Sequence, residues 1–206
     1  MSHAETLPQT ALNLTAVLFG LSGCLVDFGA RTHRHDSPLA EPAETTPGAL
    51  NALQSLQRQK IPCAWLDELP PAVCHSMATA LPEWIKDAQH PATINPWPAP
   101  DACWQALMNL GIERLDGCVL VSGEPRLLQS GLNAGLWTIG LASCGSLCGL
   151  APEAWQALAP QERDIKRGKA TMQLFGLGVH SVIDHLGELD TCLADIQLRR
   201  FKGEKP

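Results

Sequence analysis

Residues 14–31 read Leu-Thr-Ala-Val-Leu-Phe-Gly-Leu-Ser-Gly-Cys-Leu-Val-Asp-Phe-Gly-Ala-Arg. Positions 15–19 are a short apolar, partly β-branched run that ends at a glycine-rich turn. That pattern predicts a buried strand feeding a loop. In an open α/β sheet, ligands and chemistry collect where such strands end. The rest of the chain is therefore read against this first strand and its turn.

Working outward, residues 1–13 read as a loose leader. Residues 29–47 carry turn formers and charges without apolar periodicity, which predicts a long loop. Pro47 then opens a helix, with Thr46 as its expected N-cap and Leu50, Leu53 and Leu56 on one face. A second strand is expected over 61–66, a short helix over 71–81 and a short third strand over 92–94. A helix carrying Cys103, Trp104, Leu107 and Leu110 stops at Gly111. Strands over 118–121, 136–141 and 179–183 alternate with helices ending at Ala134, spanning 152–176, and running from Leu186 to Phe201. Strands alternating with helices over the whole length predict an α/β fold. It is a three-layer, doubly wound parallel sheet, a single domain over 14–206.

The 206 residues suffice for one such domain with a full core. A formal charge of −6, with no basic block, argues against nucleic acid or an anionic membrane surface as partner. The clusters 163–169 and 199–205 read as solvated helix faces or ends. No Lys or Arg precedes the first apolar run, and Asp27 closes it after too few residues to span a bilayer. Both features argue against a signal peptide and a membrane helix. The eight cysteines (24, 63, 74, 103, 118, 144, 148 and 192) are then expected as reduced, mostly buried thiols in the cytoplasm. Cys144 and Cys148 form one close pair, without the second pair that a structural zinc site requires.

The stretch Phe19-Gly-Leu-Ser-Gly-Cys-Leu-Val-Asp-Phe-Gly-Ala-Arg31 resembles the first motif of phosphonoacetaldehyde hydrolases, within the haloacid dehalogenase-like superfamily. There the pattern is roughly Phe-Asp-Trp-Ala-Gly-Thr-x-x-Asp-Tyr-Gly-Ser-Arg. The resemblance continues in Pro98-Ala-Pro100, in Gly131-Leu-Asn-Ala-Gly-Leu-Trp-Thr-Ile-Gly140 and in Gly149-Leu-Ala-Pro-Glu153. It ends in Gly178-Val-His-Ser-Val-Ile-Asp184 and in the tail from Asp195 to Pro206. It thus covers nearly the whole chain and implies the Rossmannoid core of that superfamily.

The same resemblance implies what is missing. The family's aspartate nucleophile falls on Gly20, its alanine on Ser22 and its threonine on Cys24. A carboxylate is needed at the first of these positions, to attack the substrate and to help hold Mg²⁺. The two aspartates of the fourth motif fall on Gly123 and Leu127, the phosphate-binding Ser/Thr near Ala64 or Trp65, and the cationic residue before Pro-Ala-Pro on Trp97. The family's helical cap, inserted after the first motif, supplies a lysine that forms a Schiff base with the aldehyde. Here the corresponding interval, 32–46, holds fifteen residues and no lysine. The expectation is a core without a cap domain, with 29–47 a loop in its place.

Asp27 and Arg31 match the motif but lie beyond the catalytic turn, and are expected to pair with each other four residues apart. Ser22 reads as a turn-stabilising hydroxyl, since no base accompanies it in sequence. His33-Arg-His35-Asp36 is weighed as a metal or partner site against plain polar surface, and His180 reads as a satisfied core or interface histidine. Two function classes remain. The favoured one is a non-catalytic relative that binds an unidentified protein or small molecule, with no cofactor expected and self-association allowed. The alternative is a divergent Mg²⁺-dependent phosphohydrolase with a relocated oxygen site at Asp67, Glu68 and Glu124. Trp97 in place of a cation would fill the old phosphate pocket with apolar bulk.

Overall fold

The computed structural model describes residues 14–34, 43–88 and 95–206. Among them, six strands form one parallel sheet in the order β3-β2-β1-β4-β5-β6. They are β1 (Ala16–Gly20), β2 (Cys63–Leu66), β3 (Lys86–Asp87), β4 (Cys118–Ser122), β5 (Trp137–Leu141) and β6 (Ser181–Ile183). Seven α-helices connect and flank them: α1 (Ala49–Arg58), α2 (Pro71–Ala78), α3 (Asp101–Asn109), α4 (Pro125–Asn133), α5 (Pro152–Ala157), α6 (Pro160–Gly176) and α7 (Leu189–Phe201).

The first strand is fully buried because helices cover both faces of the sheet, as parallel strands require. Its alternation divides the core. Val17 and Phe19 join one cluster with Leu53 and Leu56 of α1 and Leu189, Leu193 and Ile196 of α7. Ala16 and Leu18 point the other way and pack with Ala102, Cys103, Ala106 and Leu107 of α3. A third cluster, around Ala170 and Leu174, fixes α6. These three layers are the α/β architecture expected from the sequence.

Several boundaries differ, each for a local reason. The expected third strand over 92–94 lies outside the described residues. The strand that occupies the sheet edge is the two-residue β3, whose Lys86 and Asp87 are exposed and carry no apolar alternation. Helix α1 is capped by Gly48 at φ 82° and not by Thr46, whose hydroxyl donates to the Cys24 carbonyl. A side chain at Gly48 would also collide with the Gly187 backbone, its Cβ falling 2.1 Å from the nitrogen. The helical region 152–176 is broken into α5 and α6, because Pro160 pushes Ala159 out of helical geometry to ψ 149°. Strand β6 begins at Ser181, two residues later than expected, and α7 begins at Leu189 after a 3₁₀ turn over Leu186–Glu188.

The leader 1–13 lies outside the described residues, as do residues 35–42 of the long loop. The described part of that loop is not featureless. It holds a 3₁₀ turn (Arg31–Arg34) and an isolated bridge between Val26 and Thr45. Among the described residues, no helix is long and apolar enough to cross a membrane.

Candidate functional site

Parallel pairing in register sets the ends of β1, β2 and β4 side by side, with Gly20 opposite Leu66 and Phe19 opposite Val121. The strand-end residues singled out by the sequence therefore converge. What each can do depends on the space and the partners it finds there.

Gly20 is enclosed. A Cβ at this position would lie 2.7 Å from Ser122 Oγ and 3.4 Å from a Leu127 methyl, and both neighbours are fully buried. Gly123 is enclosed by backbone. Its Cβ would lie 2.4 Å from Gly145 Cα and 2.4 Å from the Gly23 carbonyl oxygen. The chain closes on itself here, with Ser146 N donating to the Gly123 carbonyl at 3.1 Å. Leu127 is fully buried, and Trp97, only 4% exposed, packs into the same apolar cluster with Leu66 and Leu127. Ala64 and Trp65 are buried within β2.

The polar residues at these strand ends are committed to one another. Ser22 donates its hydroxyl to Asp27 Oδ2 at 2.7 Å and its amide to Asp67 Oδ2 at 3.0 Å. Asp27, with φ 57°, also takes the amides of Arg31 and Thr32. The expected Asp27–Arg31 pairing is thus a backbone N–H to carboxylate contact, and the Arg31 Nε stays without a partner among the described residues. Charge-assisted bonds of this kind hold a buried carboxylate in place. Cys24 is buried against the Val121 carbonyl, and burial together with neighbouring Cys144 pushes its thiol well above the ordinary range. A thiol so shifted is no nucleophile.

The three acids of the relocated-site reading diverge. Asp67, its side chain 2% exposed, accepts from Ser22 N and Leu69 N and pairs with His33 Nε2 at 3.1 Å. Glu68 turns away, accepting from the Trp97 amide and pairing with Arg126 Nη1 at 2.9 Å. Arg126 also reaches the Trp97 carbonyl. Glu124 caps α4 by accepting the Arg126 amide at 3.2 Å. Mg²⁺ prefers an octahedron of hard oxygens, several of them carboxylate or water. The residues that the resemblance places at metal positions, Gly20, Gly123 and Leu127, offer no side-chain oxygen, and the acids nearby are spread over separate partners. This donor set does not suit Mg²⁺. Among the described residues, no three His, Cys, Asp or Glu side chains gather as a metal cluster.

His33 is the residue whose contact the sequence did not foretell. It stands in a 3₁₀ turn 34 positions before its partner, with no spacing signal to join them. Burial lowers its pKa. The hydrogen bond and charge of Asp67, with the fields of Glu124 and Asp27, outweigh that and leave it raised. The other half of the weighed metal motif, His35 and Asp36, lies outside the described residues. His180 is half-buried and satisfied, accepting the Thr138 amide at 3.0 Å and tilted against Trp137 with ring centroids 4.8 Å apart. Burial and the nearby Arg199 lower its pKa. Cys144 and Cys148 are free thiols, donating to the Asp184 and Ala142 carbonyls.

No family model matches the chain. The phosphonoacetaldehyde hydrolase of Salmonella enteritidis PT4 is 30% identical over 169 residues, which is 77% of this chain and 61% of that protein. The chain thus spans 61% of the length of the curated relatives it matches first. A crystal structure at 62% identity superposes with a TM-score of 0.90, covering 94% of this chain and all of the other. The phosphonoacetaldehyde hydrolase-like protein from Oleispira antarctica shares the fold, with a TM-score of 0.81 at 21% identity, over 94% of this chain and 96% of its own.

Proposed function

Because the chain is a phosphonatase-like relative within the haloacid dehalogenase-like superfamily, we propose that it is a non-catalytic member, kept as a binding or interaction module. The observation that carries this reading is the closure of the nucleophile position. At Gly20 even a methyl group would overlap Ser122 Oγ at 2.7 Å, so a carboxylate has neither identity nor room. The enclosure of Gly123 by the Gly145 backbone supports it, as does the apolar filling of the strand ends by Trp97 and Leu127. Phosphoryl transfer depends on positioned charge, and these positions hold none. The turn over Arg31–Arg34, pinned by His33 to Asp67, stands in this reading where the family resemblance places a cap.

The reading includes a reducing, cytoplasmic setting, supported by eight free and buried cysteines. It includes no cofactor. The rival phosphohydrolase would have to free Asp67, Glu68 and Glu124 from the contacts that now separate them.

The test is hydrolysis of a broad phosphate-ester panel and of phosphonoacetaldehyde, with and without Mg²⁺, by wild type and Asp67→Asn. No turnover by either protein, with the fold intact by circular dichroism, is the expected result. Metal-dependent turnover that disappears in Asp67→Asn would establish the relocated site and overturn the proposal.

A further inference from the structure

A cavity of about 950 Å³ opens beside the strand ends, between the 27–31 loop, residues 43–47, the ends of β5 and β6, and helices α5 and α6. None of Gly20, Ser22, Cys24, Asp67, Trp97, Gly123 or Leu127 lines it; it meets the site described above only through Asp27 and Arg31.

Three arginines border this cavity, and they are not equivalent. Arg167 is neutralised, donating to Asp184 at 2.7 Å and to Asp164 at 3.0 Å. Arg31 and Arg163 each have a buried Nε without a hydrogen-bond partner among the described residues. A guanidinium N–H withdrawn from water with no acceptor is costly, and native structures rarely leave one so. Of the acids on the wall, Asp27 is committed to Ser22 and to two backbone amides. Glu44 and Glu153 are exposed, where water screens them. What the wall leaves unmet are two buried donors, the Nε–H groups of Arg31 and Arg163, for which no acceptor exists among the described residues.

The same cavity has an apolar wall. Phe28 and Trp155 meet there with ring centroids 6.3 Å apart and a tilt of 52°. We infer that the cavity is a binding site for a small aromatic oxyanion, its charged head held by Arg31 and Arg163 and its ring laid against Phe28 and Trp155. Guanidinium groups take carboxylate and phosphoryl oxygens through paired N–H donors, and aromatic faces accept a third ring in offset or edge contact. The inference deepens the binding-module reading by naming a ligand class, and rests on that reading only for the ligand's purpose.

The test is isothermal titration of the full chain, at fixed ionic strength, with phenyl phosphate, benzoate and inorganic phosphate, while phenol release is assayed in the first arm. Saturable binding of at least one aromatic anion is expected, the tighter of the two identifying the head group. Inorganic phosphate should bind at least tenfold more weakly. Arg31→Ala and Arg163→Ala should each weaken the aromatic anion at least tenfold, and Trp155→Leu should weaken it while leaving inorganic phosphate unchanged. Arg163 lies on the outer helix α6, so its variant keeps the test valid if Arg31→Ala fails to fold. No saturable binding of either aromatic anion, unchanged affinity in Arg163→Ala, or equal affinity for inorganic phosphate would overturn the assignment. Release of phenol would refute the non-catalytic reading and leave the binding result standing.

Discussion

The closure of position 20 can be measured as an energy. In Gly20→Ala the new methyl lies 2.7 Å from Ser122 Oγ, against an ordinary contact of about 3.5 Å or more. Ser122 is fully buried and its hydroxyl accepts the Glu124 amide at 2.9 Å, so it cannot swing aside without breaking that bond. Overpacking of this kind costs about 1–3 kcal/mol and the hydrogen bond about 1 kcal/mol, so about 2–4 kcal/mol in all. In a domain of this size each kcal/mol lowers Tm by about 2–4 °C. Removing the clashing atom with Ser122→Ala leaves only an ordinary 3.4 Å contact to the residue's Cβ. In that background Gly20→Ala should cost about 1 kcal/mol or less, giving a coupling of about 1–3 kcal/mol between the two sites. Urea denaturation at 25 °C of wild type, both single variants and the double variant reads this cycle. Equal cost of Gly20→Ala in both backgrounds would show that β1 has room at its end, and the steric part of the argument would be wrong.

At Gly123 the obstruction is backbone and cannot rotate away, so Gly123→Ala should destabilise by more than Gly20→Ala, about 3 kcal/mol or above, by the same denaturation assay. The His33–Asp67 pair makes stability depend on pH. The folded pKa of His33 is raised, so its contribution is complete below the ordinary histidine value of about 6.5 and is lost as pH rises through the folded value. Thermal melts across that window should therefore show wild type losing stability relative to Asp67→Asn, and parallel curves would show that the pair is not charged. Titration with MgCl₂ at constant ionic strength should leave Tm unchanged, because a ligand stabilises only the state that binds it. A saturable rise in Tm would reveal an oxygen cage that the committed contacts of Asp67, Glu68 and Glu124 argue against.

The sheet was legible because its central strands are buried on both faces. Continuous apolar runs such as Cys118-Val-Leu-Val121, punctuated by glycine and proline, have no other stable home in an α/β chain. The edge strand escaped notice for the opposite reason: Lys86 and Asp87 are exposed, and only pairing with Ala64 and Trp65 makes them a strand. The break between α5 and α6 was written in Ala159-Pro160 but is small beside the helical periodicity around it.

The candidate site divides along the same line. Side-chain identity is local, so the sequence alone, through its family resemblance, determined that Gly20, Gly123 and Leu127 bring no carboxylate to the strand ends. Vacant space and free lone pairs are not local. Ser22 meets Asp67 across 45 positions, Trp97 meets Glu68 across 29, and Glu68 meets Arg126 across 58. Only the tertiary structure decided that the lost positions are closed, that the neighbouring acids are already engaged, and that two arginines whose Nε atoms lack a partner among the described residues face one cavity. Such facts arise from contacts between residues far apart in the chain, which folding brings together and no short stretch encodes.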